Sequence, residues 1–205
     1  MIAIVDYGMG NLMSLSNALK KLNIEFFFLE NKSIDKEFSH IILPGVGAYS
    51  AAIEEIKKRQ LDILLSEKKE KNIPILGICL GMQILSKIGT ENKKNTTGLN
   101  FIPGIVENIK NLNALNKCHV GWNEISFKKS SKIFDEIKEN SNFYFDHSYY
   151  FKTDDEANIL CTSNYVECFA SGVINKNIIG LQFHPEKSHD KGLKILNNFY
   201  NNIYA

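Results

Sequence analysis

The chain has 205 residues, of which 44% are hydrophobic and 23% are charged, a composition typical of an ordinary globular protein with one sizeable core. Its 24 basic and 23 acidic residues leave a formal net charge of +1, so we expect neither nucleic acid nor a membrane surface as a partner. The longest apolar stretch, residues 73–85, is too short and too rich in glycine to cross a bilayer, which takes roughly 20 residues. We expect one domain over residues 1–205.

The first half of the sequence alternates short apolar runs with segments of helical periodicity. The expected elements are strands 2–6, 25–29, 41–43 and 73–76, with helices at 11–22, after Ala48, and from Leu80 to about Ile88. This βα alternation predicts an open, mostly parallel sheet with helices on both faces.

The second half is richer in strands than the first. The expected strands are 104–109, 143–145, 158–162, 169–175 and 178–183, followed by a closing helix from about 191 to 202. Because several of them are short and separated by turns, we expect antiparallel hairpins added to the central sheet. The polar tract 91–97 is interpreted as a surface loop.

Gly77-Ile78-Cys79-Leu80-Gly81 places a thiol between two glycines, directly after an apolar run. The pattern is typical of a nucleophile elbow, a strand-to-helix turn so tight that the residues two before and two after the nucleophile must be small. The N-terminus of the following helix would point at the sulfur and favour the thiolate over the thiol. By itself, the pattern fits a buried structural cysteine equally well.

A base and an acid for this nucleophile stand about a hundred residues later, where the strand 178–183 runs into His184-Pro185-Glu186. A cysteine nucleophile needs an imidazole to take and return its proton, and a carboxylate to hold that imidazole in one tautomer. We interpret His184 as the base and Glu186 as the residue that orients it. Together with the elbow, they predict a Cys79-His184-Glu186 triad.

The cysteines and the N-terminus indicate the compartment. Cys79, Cys118, Cys161 and Cys168 show neither a C-x-x-C pair nor the spacing of metal ligands. We therefore expect free thiols in a reducing cytoplasm, and no metal. The apolar residues at the N-terminus are interrupted by Asp6 and followed by turn residues, unlike a secretory signal.

Further segments extend the pattern beyond the elbow and the H-P-E motif. They are Asp6-Tyr7-Gly8-Met9-Gly10-Asn11-Leu12, Leu43-Pro44-Gly45-Val46-Gly47, His119-Val120-Gly121-Trp122-Asn123 and Tyr144-Phe145-Asp146-His147-Ser148-Tyr149. With them, nearly the whole chain resembles the triad-type (class I) glutamine amidotransferases, in particular the glutaminase subunits of imidazole glycerol phosphate synthase. The resemblance implies a flavodoxin-like sheet and cofactor-free hydrolysis of glutamine to glutamate and ammonia.

The loop after the third strand is a candidate oxyanion site. It should lie beside the elbow, because the active loops of an open parallel sheet gather at its carboxyl edge. Backbone N–H groups of Gly45, Val46 and Gly47, with that of Leu80, would stabilise the tetrahedral oxyanion formed from an amide. The resemblance further implies that the bound glutamine is surrounded by Gln83, His147, Ser148 and Tyr149.

The resemblance also implies a partner, a separate (β/α)8 barrel synthase subunit that forms a heterodimer with the glutaminase. The barrel would receive the ammonia by a protected route and make imidazole glycerol phosphate and an aminoimidazole carboxamide ribonucleotide in histidine biosynthesis. The residues that match positions at the partner or the ammonia exit are Met9, Asn11, Trp122, Tyr144 and Lys187. Without the resemblance, they are surface and rim residues.

One departure and three alternatives stay open. Cys118 precedes His119 where the family usually has proline, so the shape of the Trp122 segment is not predicted. The chain is alternatively a paralogous glutaminase that feeds a barrel synthase aminating a sugar, or a non-catalytic scaffold or regulator with the same fold. A stand-alone peptidase or γ-glutamyl hydrolase is disfavoured by the full set of motifs, and a non-catalytic role by the presence of all three triad residues.

Overall fold

The computed structural model describes residues 1–32, 36–109 and 118–203. Its helices are α1 (Leu12–Lys21), α2 (Tyr49–Lys58), α3 (Leu61–Glu70), α4 (Leu80–Gln83) and α5 (His189–Asn202). Short 3-10 helices span Glu91–Lys93, Lys132–Phe134, Glu156–Asn158 and Pro185–Lys187. Within the described ranges, no helix combines the length and the apolar character needed to cross a membrane.

The strands account for most of the remaining regular structure. They are β1 (Ile2–Val5), β2 (Phe26–Leu29), β3 (His40–Leu43), β4 (Ile75–Ile78), β5 (Ile88–Gly89), β6 (Thr96–Thr97), β7 (Gly104–Asn108), β8 (His119–Phe127), β9 (Ser141–His147), β10 (Tyr149–Thr153), β11 (Ile159–Tyr165), β12 (Glu167–Asn175) and β13 (Ile178–Leu181). The strands and helices predicted for the first half of the chain are all present, and only the helix after the elbow differs in length.

The centre of the sheet is parallel, in the order β2-β1-β3-β4-β13. In the pairing of β4 with β13, Gly77 lies opposite Gly180 and Ile78 opposite Leu181. Because both strands run in one direction, the residues that follow them emerge side by side at the carboxyl edge. This register brings Cys79 next to the segment that begins at Gln182.

Helices cover both faces of this parallel centre, as predicted. Along β1, Ile2 and Ile4 belong to the core cluster that includes residues of α1 and α5. Ala3 and Val5 point to the opposite face and pack in the cluster with α2 and α3. The alternation follows from the two-residue period of a strand, and its two apolar faces explain why β1 is fully buried.

Antiparallel strands extend the sheet beyond β13, in the order β12-β10-β7, with β5 and β6 at the end. Off this path, β11 pairs with β12 and β8, and β8 forms a hairpin with β9. The predicted antiparallel additions are therefore confirmed, and they are more extensive than expected. In the β8–β9 hairpin, His119 lies opposite His147 and Trp122 opposite Tyr144.

The helix after the elbow is much shorter than predicted, since α4 ends at Gln83 and residues 88–89 form β5. The carbonyl oxygens of Ile84 and Ser86 accept hydrogen bonds from the N–H groups of Leu99 and Asn100, at 2.9 Å each. A helix extended to Ile88 would need the Ile84 carbonyl for its own last turn. Pairing with residues 98–100 therefore outweighs the local helical pattern.

The interpretation of residues 91–97 as a surface loop is also wrong in part. The segment contains the 3-10 turn Glu91–Lys93 and the strand β6, which pairs with β5. The carboxylate of Glu91 accepts a hydrogen bond from the N–H of Tyr49 at 2.6 Å. This bond ties the segment to the start of α2, where Ala48 has no side chain that can cap the helix.

Candidate active site

The elbow has the strained backbone that the sequence pattern predicts. Cys79 joins β4 to α4 with φ 54° and ψ −111°, and its side chain is buried. A Cβ on Gly77 would lie 2.7 Å from the carbonyl oxygen of Gly81, and one on Gly81 would collide with the carbonyl oxygen of Leu43. Both glycines are therefore required by close backbone approach, on either side of the thiol.

His184 and Glu186 form a tightly held pair beside this thiol. His184 Nδ1 lies 2.8 Å from Glu186 Oε1, and the two side chains are 2% and 5% exposed. Pro185 starts a 3-10 turn that presents the carboxylate to the ring two residues before it. The backbone of His184 is fixed at both ends, since its N–H donates to Tyr144 and its carbonyl accepts from the Ser188 hydroxyl.

The His184 imidazole favours the protonated form. Burial by itself lowers the pKa of His184, but hydrogen bonding and charge interaction with Cys79 and Glu186 raise it to about 10. Nδ1 is taken by the carboxylate, so the buried Nε2 is the ring atom left for the sulfur. An imidazolium beside a thiolate is the charge state that a cysteine nucleophile uses.

The sulfur of Cys79 has two further polar neighbours. Its Sγ lies 3.6 Å from the carbonyl oxygen of Asp146, to which a thiol can donate. It also lies 3.7 Å from Nε2 of Gln182, which donates to the sulfur. The first contact suits the thiol and the second suits the thiolate, since an ionised sulfur accepts hydrogen bonds and donates none.

A cavity of about 410 Å³ opens directly above the elbow. It is lined by Cys79 and by every residue predicted for the oxyanion or glutamine site except Gly45, namely Val46, Gly47, Leu80, Gln83, His147, Ser148 and Tyr149. Gly45 is buried beneath the loop, where a Cβ would meet the hydroxyl of Tyr7 and would lie 3.0 Å from Cβ of Leu80. The volume is within the usual range for small-molecule sites.

Three further residues line the cavity that the motifs do not identify as ligand contacts: Glu91, Cys118 and Asp146. The sequence indicates Glu91 only indirectly. The helix predicted to start after Ala48 lacks an N-cap side chain, so its first N–H groups need a hydrogen-bond acceptor from another segment. Glu91 places a carboxylate in the wall of the cavity. Cys118, the departure from the usual proline, is exposed there.

The Gln83 amide is largely occupied by protein partners. Its Nε2 donates to the Tyr149 carbonyl at 2.9 Å and to Oε1 of Gln182 at 3.0 Å. An amide nitrogen has two hydrogens, so both are used and the carbonyl oxygen is the part left for a ligand. Gln83 can therefore accept a hydrogen bond from a ligand in the cavity.

His147 likewise has no free ring nitrogen. Its Nδ1 bonds the Tyr149 carbonyl at 2.8 Å, and its Nε2 lies 2.9 Å from Nδ1 of His119. Burial lowers the pKa of His147 to about 3 and that of His119 to about 4. Both rings are neutral at pH 7, and His147 contributes shape to the cavity wall while its polar atoms bind the protein.

The loop at the other side of the elbow is more open. Val46 is 40% exposed, and Gly47 has φ +111°, a conformation that favours glycine. Opposite this loop, Leu80 is the first residue of α4, where a backbone N–H has no partner within the helix. These are the two sources of N–H donors predicted for the oxyanion.

Three of the five residues predicted for the partner surface lie together. Trp122 is 49% exposed, its ring centroid lies 6.1 Å from that of Tyr144, and Lys187 Nζ lies 5.3 Å from the Tyr144 centroid. Met9 packs beside Gly47, and the Asn11 side chain accepts from the N–H of Ser14 and caps α1. In the described part of the chain, no three His, Cys, Asp or Glu side chains are grouped as metal ligands.

Comparison with known proteins identifies the family. The family model of the class-I glutamine amidotransferases matches residues 3–203. The imidazole glycerol phosphate synthase subunit HisH 2 of Methanococcus maripaludis is 40% identical over 200 residues, covering 97% of this chain and 98% of the relative. The HisH subunit of Sulfurimonas denitrificans is 42% identical over 208 residues, covering 99% and 100%.

Solved structures show the same fold at low sequence identity. A chain from the structure of PurLQS of Thermotoga maritima aligns with a TM-score of 0.78 at 18% identity, over 98% of this chain and 97% of that one. A glutamine amidotransferase of the same organism aligns with a TM-score of 0.67 at 19% identity, over 98% and 82%. The chain therefore belongs to the class-I glutamine amidotransferase family, in the group of the HisH subunits of imidazole glycerol phosphate synthase.

Proposed function

We propose that the chain hydrolyses glutamine with Cys79 as nucleophile, His184 as base and Glu186 as the residue that orients the base. The observation that carries this proposal is the position of His184. One ring nitrogen lies 2.8 Å from Glu186, the buried Nε2 has no other hydrogen-bond partner among the described residues, and the elbow at Cys79 opens into a cavity large enough for an amino acid. The pairing of β4 with β13 supports it, since it joins two motifs that are far apart in sequence.

The reaction proceeds through a thioester. The Cys79 thiolate attacks the amide carbon of glutamine, and the oxyanion accepts hydrogen bonds from backbone N–H groups. The C–N bond then breaks, and the His184 imidazolium gives its proton to the departing ammonia. Next, His184 takes a proton from water as the water attacks the thioester carbon. Glutamate leaves and the thiolate is regenerated.

The cavity wall offers complementary groups for the two ends of a free amino acid. The Glu91 carboxylate and the carbonyl oxygen of Gln83 are acceptors for the α-ammonium group. The Ser148 hydroxyl and the backbone at Tyr149 lie in the same wall, as donors for the α-carboxylate. This arrangement would select a free amino acid over a glutamine within a peptide, which has no charged ends.

The ammonia is delivered to a partner subunit, a (β/α)8 barrel synthase of histidine biosynthesis. The relatives named as HisH subunits support this choice over a barrel that aminates a sugar. The partner surface is the patch formed by the exposed Trp122 and the half-buried Tyr144 and Lys187. It is connected to the base, because the carbonyl of Tyr144 accepts the N–H of His184 at 2.8 Å.

The oxyanion hole is completed by the loop 44–47. The exposed Val46 is followed by Gly47, so the peptide between them is free to rotate and to turn its N–H or its carbonyl toward the substrate. Docking of the barrel with its own ligand would favour the N–H orientation. Ammonia release would then be coupled to readiness of the synthase.

The proposal is tested with Cys79→Ala. In the complex with the barrel, glutamine-dependent synthesis should fall by roughly 10⁶-fold, because the covalent step is lost. Synthesis from added ammonium salts should stay at the wild-type rate, because the barrel performs that reaction. Release of glutamate by the variant at the wild-type rate would remove Cys79 from the mechanism.

An electrophilic glutamine analogue provides a second measurement, with the other cysteines as matched controls. Peptide mass spectrometry should find the label on Cys79 and not on the exposed Cys118 and Cys168. Cys161 should also stay unlabelled, because burial raises the pKa of its thiol to about 12. Equal labelling of Cys79 and Cys168, which is exposed but does not line this cavity, would show that the analogue is not bound in the cavity.

A further inference from the structure

We infer that Gln182 controls the ionisation and the position of the nucleophile by donating a side-chain amide hydrogen bond to Cys79 Sγ. Gln182 follows β13 directly, two residues before His184, and it is completely buried. Its Nε2 lies 3.7 Å from Sγ. The inference rests on the proposed function, since it assigns a donor to the same sulfur.

The orientation of the Gln182 amide follows from its neighbours. A backbone carbonyl only accepts hydrogen bonds, so the Gln83 atom 2.9 Å from the Tyr149 carbonyl must be its NH₂ group. That same nitrogen lies 3.0 Å from one terminal atom of Gln182, which must then be the oxygen. The other terminal atom, which faces Sγ, is the NH₂ group.

Burial prevents Gln182 from taking another orientation. Its main chain is fixed by the bond from its N–H to the Ser171 carbonyl, at 2.9 Å. If its amide turned over, two NH₂ groups would face each other at Gln83, and an oxygen would face the sulfur. Buried polar groups without partners are strongly disfavoured, so the donor stays directed at Cys79.

The donor matters because the other neighbour of the sulfur favours the opposite charge state. The Asp146 carbonyl, 3.6 Å from Sγ, accepts from a thiol and repels a thiolate. The Gln182 NH₂ group stabilises the thiolate, together with the His184 imidazolium. Gln182 therefore offsets the Asp146 carbonyl and holds Sγ on the side of the elbow that faces the base.

The test is Gln182→Met, which keeps the length of the side chain and removes the donor. In the isolated folded chain, the rate of Cys79 alkylation by iodoacetamide is measured against pH, with peptide mass spectrometry separating Cys79 from the other thiols. The midpoint of this profile should move up by about one pH unit. In the complex, kcat for glutamine should fall about tenfold with KM nearly unchanged, because the substrate is bound by other groups.

Gln182→Glu serves as a second variant of nearly the same shape. It keeps an acceptor for Gln83 and places an oxygen in place of the donor at Sγ, so the midpoint should move up at least as far as in Gln182→Met. Asn198→Leu is the matched control, since Asn198 is another buried amide, which donates to the carbonyls of Ile133 and Asp135 and not to Cys79. It should lower stability without moving the midpoint.

The outcomes separate this inference from the proposed function. Folded Gln182 variants with the wild-type midpoint, or an equal shift in Asn198→Leu, would reduce Gln182 to a structural residue and overturn the inference. Absence of glutamate release by the wild-type complex would instead contradict the glutaminase, whatever the alkylation profile shows.

Discussion

The two sides of the cavity differ in how firmly they are held. On the elbow side, the backbone of Cys79 is strained, Gly81 packs against the Leu43 carbonyl, and His184 is fixed by bonds to its ring and its backbone. On the loop side, Val46 is exposed and Gly47 has a positive φ. Cys79 and His184 are thus held in fixed positions, together with Leu80 at the start of α4, while the oxyanion donors proposed for residues 45–47 lie on a loop with an exposed side chain and a glycine of positive φ.

This contrast indicates a division of labour. A nucleophile that has to meet its base gains from rigidity, since small displacements of reacting groups are costly in rate. A loop that a partner regulates has to be mobile, because binding of the partner can shift the population only between conformations that the loop already adopts. Regulation by the synthase is therefore expected to act through the loop and to leave the triad geometry unchanged.

The largest expected effect tests the rigid side. His184→Ala should lower kcat for glutamine by roughly 10⁶-fold, and Glu186→Gln by roughly 10⁴-fold, because an imidazole that is imperfectly oriented still transfers protons. Glutamate release is the measurement, and circular dichroism verifies that both variants are folded. Small and equal losses would mean that the preassembled pair is not the catalytic apparatus.

The next effect tests the mobile side. Addition of the barrel with its own ligand should raise glutamate production by roughly 10²- to 10³-fold, the usual contribution of one oxyanion donor. The isolated chain, the complex, and the complex with ligand are compared at saturating glutamine, with the Cys79→Ala complex as the blank. An isolated chain that already reaches the full rate would mean that the hole is preformed.

Two glycine substitutions compare the free energy of unfolding when a methyl group is added at the elbow and when one is added next to the loop 44–47. Gly81→Ala should lower the free energy of unfolding by about 1 to 3 kcal/mol, because its Cβ would collide with the Leu43 carbonyl. Gly10→Ala should change it by less than about 1 kcal/mol, since a Cβ there would lie 3.6 Å from Pro44, an ordinary contact. Urea unfolding gives both values, and equal losses would contradict the contrast.

The smallest expected effect concerns the neutral histidines in the cavity wall. Unfolded histidine takes up a proton near its usual pKa of 6.5, whereas burial lowers the pKa of His119 to about 4. Between these values the unfolded chain binds more protons, so stability falls as the pH drops. His119→Gln should reduce the stability lost between pH 7 and pH 5, by on the order of 1 kcal/mol.

Urea titrations of wild type and His119→Gln at both pH values provide this measurement. If both proteins lose the same free energy of unfolding between pH 7 and pH 5, the folded His119–His147 pair takes up protons near the usual histidine pKa. That would contradict the neutral, hydrogen-bonded state of the two rings in the cavity wall. A smaller loss of unfolding free energy in the variant would show that the pair stays neutral and is held as firmly as the elbow side of the cavity.

Features that depend on a few adjacent residues were predictable from the sequence. The tight elbow at Cys79 was predicted from the glycines on either side of it, and the pairing of His184 with Glu186 from their separation by one proline. The length of α4 did not follow, because the Ile84 carbonyl, which a helix to Ile88 would use, is bonded to the N–H of Leu99. No local pattern reports that competition.

Contacts that depend on the register of distant strands could not be predicted. The His119–His147 pair exists because β8 and β9 align these positions, and the Gln182–Cys79 contact because β4 and β13 are in register. Glu91 enters the cavity through a bond to α2, formed across 42 residues of chain. Such contacts form only once the sheet is assembled, whereas the motifs can be recognised from residues adjacent in sequence.

The position of β13 has a consequence for the growing polypeptide. This last strand lies between β4 and β12, and along the sheet path it joins the parallel half to the antiparallel half. Until it emerges from the ribosome, β4 has a free edge, and the thiol of Cys79 has neither the proposed base nor the proposed orienting acid. If the proposed triad is correct, a nascent or truncated chain without β13 cannot consume glutamine, because the strand that closes the sheet also delivers His184 and Glu186.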